Sequence, residues 1–137
     1  MTTHSINFRI YYEDTDAGGI VYHARYLAFA ERARTEAIRS LGMPAASLLS
    51  EFGLVFVVRD ATINYRVPLT LDDIATVTTR LLEQKAASCR LEQVFTRGDE
   101  FCARVDVVLA CVKAKDGRPA RFPPLWRDLL RRLEAEE

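Results

Sequence analysis

Histidine and cysteine are scarce in this 137-residue chain, and the scarcity excludes several kinds of chemistry. The histidines are His4 and His23; the cysteines are Cys89, Cys102 and Cys111. So few donors, scattered and without a CxxC pair, make no metal-ligand set. An odd number of cysteines reads as free thiols in a reducing compartment. Cys102 and Cys111 fall in a strand-like run that suits burial. A Ser-His-Asp arrangement would need one of the two histidines, and His4 lies too near the chain start to be a well-held base. GxSxG, GxGxxG and P-loop motifs are all missing. So is any run approaching the ~20 apolar residues of a membrane helix. The first residues lack a basic stretch followed by an apolar one, so no signal peptide is expected and the expected location is cytoplasmic. Net charge is missing too: 19 Lys and Arg face 19 Asp and Glu. A chain without a basic field is a poor nucleic-acid binder, and a neutral surface accepts self-association.

What is present is an ordinary globular balance, with 49% hydrophobic and 28% charged residues. One domain spanning residues 1–137 is expected. Residues Asn7 to Tyr12 alternate as a short strand. An acid- and glycine-rich turn, Glu13 to Gly19, follows. From Tyr22 to Leu41, Tyr22, Tyr26, Phe29, Ala30, Ala33, Ala37 and Leu41 recur at helical steps, and Gly42 and Pro44 supply stop signals. Gly53 to Tyr65, Asp73 to Glu83, Ser88 to Arg97 and Phe101 to Lys113 read as strands. Pro123 and Pro124 open a short amphipathic helix through Leu133. Short turns between successive strands imply an antiparallel sheet. The long helix is the only element large enough to cover its apolar face, so the expected fold is α+β, a five-stranded sheet curled around a central helix. Such a wrap leaves an edge and an apolar margin open, which predicts a homodimer as the minimum unit.

The segment from Tyr12 to His23 holds the chemistry. Asp14 or Asp16 offers a carboxylate as nucleophile or general base. Backbone N–H groups at the helix start, near His23, can hold an oxyanion. Gly18 and Gly19 let a bulky substrate approach the main chain. A carboxylate beside an oxyanion site is what hydrolysis of an activated acyl group requires. The same residues also suit a plain helix start with solvated capping acids.

Tyr12-Glu13-Asp14-Thr15-Asp16-Ala17-Gly18-Gly19-Ile20-Val21-Tyr22-His23, then Tyr26 and Phe29 to Arg34, resembles the hotdog-fold acyl-CoA thioesterases of the 4-hydroxybenzoyl-CoA thioesterase type. Phe56 to Arg59, Tyr65, Pro68 and Leu71 to Asp73 look like the Tol-Pal-associated bacterial subgroup. The resemblance covers nearly the whole chain. It implies Asp16 as the catalytic carboxylate, Asp14 as a supporting acid in the turn, and the His23 main-chain N–H as oxyanion donor. The His23 ring either touches substrate or caps the helix. The implied reaction hydrolyses acyl-CoA, or an acyl-carrier-protein thioester, without a metal or redox cofactor. Active sites at a dimer interface are implied; further assembly to a tetramer is expected from the open edge and apolar margin of the wrap. The rival readings are a hotdog hydratase or dehydratase, which needs a catalytic histidine paired with an acid, and a non-catalytic acyl- or protein-binding hotdog.

Gly18, Gly19, Tyr22, Glu31, Val58, Arg59, Lys85 and Ser88 are the expected substrate-binding residues. Lys85-Ala86-Ala87-Ser88 lies where aryl-specific relatives open their fourth strand with basic residues, and it keeps only one, so phosphate contacts fall to Lys85 with Arg59 or Arg90. Tyr22, Tyr26, Leu27, Ala30 and Glu31 are expected to face the acyl pocket with Phe56 and Val58. Glu31 either points into that pocket or pairs with Arg32 or Arg34. The pairing is favoured, because arginines crowd the segment, and it predicts a greasy pocket suited to aliphatic chains.

Overall fold

The computed structural model describes residues 3–134. The elements are β1 (His4–Arg9), α1 (Arg25–Ser40), α2 (Ala46–Phe52), β2 (Leu54–Tyr65), β3 (Ile74–Gln84), β4 (Ser88–Arg97), β5 (Glu100–Lys113) and α3 (Pro124–Arg131). The strands form one antiparallel sheet in the order β1-β3-β4-β5-β2. The sheet wraps α1, as the strand and helix patterns predict.

Alternation sets the inner face. Ala75, Val77 and Leu81 of β3, Leu91 and Phe95 of β4, and Val105, Val107 and Leu109 of β5 are all buried, because odd positions along each strand point inward. They meet Tyr26, Phe29, Ala30, Ala33 and Ala37 of α1. The small residues let the helix lie close to the sheet. Curvature comes from three places where one strand carries an extra residue: Arg59 in β2, Leu82 in β3 and Cys102 in β5. Each bulge bends its strand and increases the local twist. Farther along, α3 closes the barrel-like end by burying Trp126, Leu129 and Leu130, with Trp126 edge-on to Phe56 at 5.8 Å.

Several boundaries differ from the sequence expectation. The first strand runs from His4 to Arg9, not from Asn7 to Tyr12. Its register ends at Arg9 opposite Ile74, where β3 begins, so Tyr11 and Tyr12 have no strand to pair with and turn outward. The central helix begins at Arg25, not Tyr22. The Tyr22 N–H is taken by the Asp14 carbonyl at 2.9 Å, and the Arg25 N–H closes a turn on the Tyr22 carbonyl at 2.8 Å. The terminal helix stops at Arg131, although Leu133 beyond it is buried. Helix α2 was not anticipated. It buries only Leu48 and ends on Gly53 at φ 68°, a left-handed conformation that favours glycine. All three cysteines are free, as expected, and Cys89 is buried along with Cys102 and Cys111, the two whose burial the strand pattern predicts. Among the described residues, no helix is long and apolar enough to cross a membrane.

Candidate active site

The loop before α1 is pinned on both sides. Thr15 bridges Val21, Ile20 bridges Thr70, and the Val21 N–H reaches the Leu69 carbonyl at 2.8 Å. Asp14 is buried within it. Its Oδ2 accepts the Tyr11 N–H at 2.8 Å and its Oδ1 the Arg25 guanidinium at 2.6 Å. Asp14 thus joins the loop to the first turn of the helix.

Asp16 is held differently. Its N–H bonds the Ile20 carbonyl and its carbonyl accepts the Gly19 N–H, so the loop closes tightly on itself. Gly19 sits at φ 82° to make that turn. The side chain stays exposed. Its Oδ1 accepts the Gly18 N–H at 2.8 Å. A Cβ on Gly18 would stand 3.2 Å from that oxygen, so glycine leaves room for the carboxylate.

Asp16 and His23 line one cavity of about 260 Å³, together with Tyr26, Tyr65, Arg66 and Pro68. The His23 carbonyl accepts the Tyr65 hydroxyl at 2.9 Å. Among the described residues, neither the His23 nor the Ala24 N–H finds an acceptor. Ala24 caps α1 without a side-chain hydrogen bond, so the helix start is open to a ligand oxygen. The His23 ring lies 4.5 Å from the Tyr22 ring and does not cap the helix. Tyr26 accepts the Leu69 N–H on its hydroxyl at 3.3 Å. Burial raises the Tyr26 hydroxyl above its ordinary pKa, and burial likewise raises that of Tyr65.

The expected substrate-binding residues divide among separate places. Gly18 and Gly19 belong to the Asp16 turn, and Tyr22 stands exposed against the His23 ring. Glu31 and Val58 line a second cleft of about 340 Å³ between α1, α2 and β2. Arg59, Lys85 and Ser88 line a third of about 270 Å³, with Glu83 and Arg90. There the Lys85 ammonium lies 3.3 Å from Glu83, which competes with an anion for it.

Two expectations about the helix face need correction. Tyr26 and Ala30 are buried against the sheet, whereas Tyr22, Leu27 and Glu31 are exposed, so these five residues do not line one pocket. A 3.6-residue period places positions 26 and 30 on the core side and 27 and 31 on the next. Among the described residues Glu31 makes no ion pair with Arg32 or Arg34. The Arg34 guanidinium turns inward instead and donates to Gln93 Oε1 at 2.9 Å. Burial pulls Arg34 below its ordinary pKa, and the negative charge of Glu31 opposes that shift.

Sequence reasoning gave no site role to Tyr65, Arg66 or Arg34. A tyrosine and an arginine at a strand end carry no spacing signal. Arg34 did leave one: it is the charged residue on the helical stripe that Ala30, Ala33 and Ala37 otherwise keep apolar.

Comparison with known proteins shows the family. The profile of the thioesterase-like superfamily matches residues 11–132. The acyl-CoA thioesterase YbgC of Haemophilus influenzae is 46% identical over 119 residues, covering 87% of this chain and 88% of that protein. The acyl-CoA thioester hydrolase YbgC of Escherichia coli is 38% identical over 116 residues, covering 84% and 86%. The crystal structure of a probable thioesterase from Bartonella henselae superposes with a TM-score of 0.84 at 36% identity, covering 89% of this chain and 100% of that one.

Proposed function

The chain belongs to the thioesterase-like superfamily, and from that premise we propose that it hydrolyses acyl-CoA thioesters at the cavity shared by Asp16 and His23. One observation carries the reading: an exposed carboxylate and an open helix start border the same small cavity. The thioester carbonyl is polarised by the His23 N–H, which stabilises the oxyanion as it forms. Asp16 either attacks the carbonyl carbon or takes the proton of an attacking water. The C–S bond then breaks and its electron pair leaves as the CoA thiolate, a good leaving group that needs no strong general acid. In the first route the acyl group stays on Asp16 as a mixed anhydride. Water opens it at the Asp16 carboxyl carbon, so the acid leaves with an Asp16 oxygen and the water oxygen remains in Asp16. In the second route the water oxygen enters the acid product directly. The scheme calls on no metal or redox group.

The CoA phosphates fall to the cleft of Arg59, Lys85 and Arg90, with Ser88 beside them. A carrier protein with the same thioester on its pantetheine arm is the second substrate class in this reading. The unit is a homodimer joined through β2. Among the described residues that strand pairs only with β5, and its exposed Val57 and Val58 lie along the free edge. Val58 and Tyr65 are seven positions apart, roughly 23 Å along one strand. Antiparallel pairing of β2 with its copy sets the Val55–Val58 end of one protomer beside the Tyr65 end of the other. The second cleft of one subunit then adjoins the Asp16 cavity of its partner. Assembly to a tetramer, a cytoplasmic location and the Tol-Pal-associated subgroup complete the reading. Three free thiols and the Tyr12–His23 motif support the last two.

A thiol-release assay tests the proposal. Asp16→Asn should abolish hydrolysis while leaving the circular dichroism spectrum unchanged. A variant retaining near-wild-type rate would sink the assignment. Single-turnover hydrolysis in ¹⁸O-water separates the two routes, because only attack by Asp16 leaves label in the protein.

A further inference from the structure

Arg34 is a buried cation held by no ion pair among the described residues, although the charge of Glu31 acts on it. Its residue exposure is 8%. Burying an unpaired charge is costly. The position is nevertheless built: Arg34 donates to Gln93, and the Gln93 amide donates to the Ala30 carbonyl at 2.8 Å and to Thr79 Oγ1 at 3.0 Å. Thr79 and Gln93 face each other in the register of β3 and β4, a polar spot in the middle of an apolar inner face. Five N–H donors belong to a guanidinium, and the bond to Gln93 uses one. The remaining edge borders the cleft of about 340 Å³, whose other walls include Ile38, Leu49 and Phe56, with Glu31 at its rim.

We propose that this cleft receives the distal end of the acyl group and that Arg34 selects chains carrying a hydroxyl there. The inference rests on the thioesterase reading and on the β2-paired dimer that brings the cleft to the partner's Asp16 cavity. The walls are apolar and the volume small, so a short acyl chain fits and a long one does not. Arg34 supplies a hydrogen-bond donor and Glu31, three residues earlier on the same helix, an acceptor. A hydroxyl satisfies both at once, since it donates one bond and accepts others. A plain alkyl end leaves the buried guanidinium unpaired. A terminal carboxylate pairs with Arg34 but meets the charge of Glu31.

The test compares kcat/KM for hexanoyl-CoA, for hexanoyl-CoAs hydroxylated at each carbon from the third to the sixth, and for adipyl-CoA. At least one hydroxylated chain should exceed hexanoyl-CoA by about tenfold, and adipyl-CoA should not. In Arg34→Met the ratio of hydroxylated to plain substrate should collapse toward one. A purely structural role for Arg34 lowers both rates together and leaves the ratio intact. If Arg34→Met fails to fold, Glu31→Gln gives the second reading: the hydroxyl preference should fall and adipyl-CoA should gain relative to it. No hydroxyl preference in the wild type, a preference for adipyl-CoA, or a preference that survives the substitutions would overturn the assignment. The Asp16 reading fails separately, through an active Asp16→Asn, because the substrate ratio does not depend on which group attacks.

Discussion

The Arg25 guanidinium grips Asp14 Oδ1 with two donors, at 2.6 Å from Nη2 and 3.0 Å from Nε, and so ties the start of α1 to the loop that carries Asp16. The two partners differ in burial: the Arg25 side chain is 30% exposed and that of Asp14 only 3%. Removing the exposed partner strands the buried one. Arg25→Met should therefore cost about 3–5 kcal/mol, the range for a buried charge left unpaired. Asp14→Asn should cost less, because Arg25 can reach water. Urea denaturation of the two variants checks the order, and equal or inverted costs would contradict it.

Gly18 and Gly19 should fail for different reasons. Alanine at 18 presses its Cβ on Asp16 Oδ1 and also disturbs the N–H that holds this oxygen. Gly18→Ala should lower kcat by about tenfold or more, since small misplacements of a reacting group are costly, with little loss of melting temperature. Nothing lies within 4 Å of a Cβ at 19, but φ is 82° there. Gly19→Ala should cost about 1 kcal/mol of stability through backbone strain. Steady-state kinetics and thermal melts on both variants separate the two effects.

The cysteines should be silent in a thiol-release assay on the native protein. Burial pushes the Cys89 thiol up to about 12 and that of Cys111 up to about 11, and burial also raises Cys102. The thiolate is the reactive form, and little of it exists at pH 8. Titration with a chromogenic disulfide should find no fast-reacting group in the folded protein and three after denaturation. A rapid native reaction at any of the three would show that its strand opens.

Acid should weaken the protein through Asp73. Burial pushes this carboxyl up, but bonds from the Thr70 N–H, the Arg97 guanidinium and the Thr70 hydroxyl outweigh it and hold the pKa below its ordinary value. A depressed folded pKa contributes stability that is present above the unfolded value, near ~4, and is lost as pH falls through the folded one. Wild-type stability should thus drop more steeply below pH ~4 than that of Asp73→Asn. Parallel slopes for the two proteins would remove Asp73 as the cause.

Local pattern determined much of this protein. Period-two alternation placed four of the strands to within a residue, and Ser88–Arg97 matched end to end. The helical steps of Tyr26, Phe29, Ala30, Ala33 and Ala37 marked the buried face of α1. The Asp-x-Asp-x-x-Gly turn ahead of a helix was legible as chemistry because its acids, glycines and helix start are neighbours in sequence. Tertiary structure decided whatever depends on distant partners. The first strand ends at Arg9 because its partner β3, more than sixty residues away, begins at Ile74. The helix begins at Arg25 because the Asp14 carbonyl takes the Tyr22 N–H. Arg34 bonds to Gln93 and makes no ion pair with Glu31, although Glu31 is three residues away and Gln93 fifty-nine. Periodicity reports which face of an element is apolar. Only the packed sheet brings Gln93 and Thr79 beneath the helix, where a buried guanidinium finds an acceptor that no spacing announces.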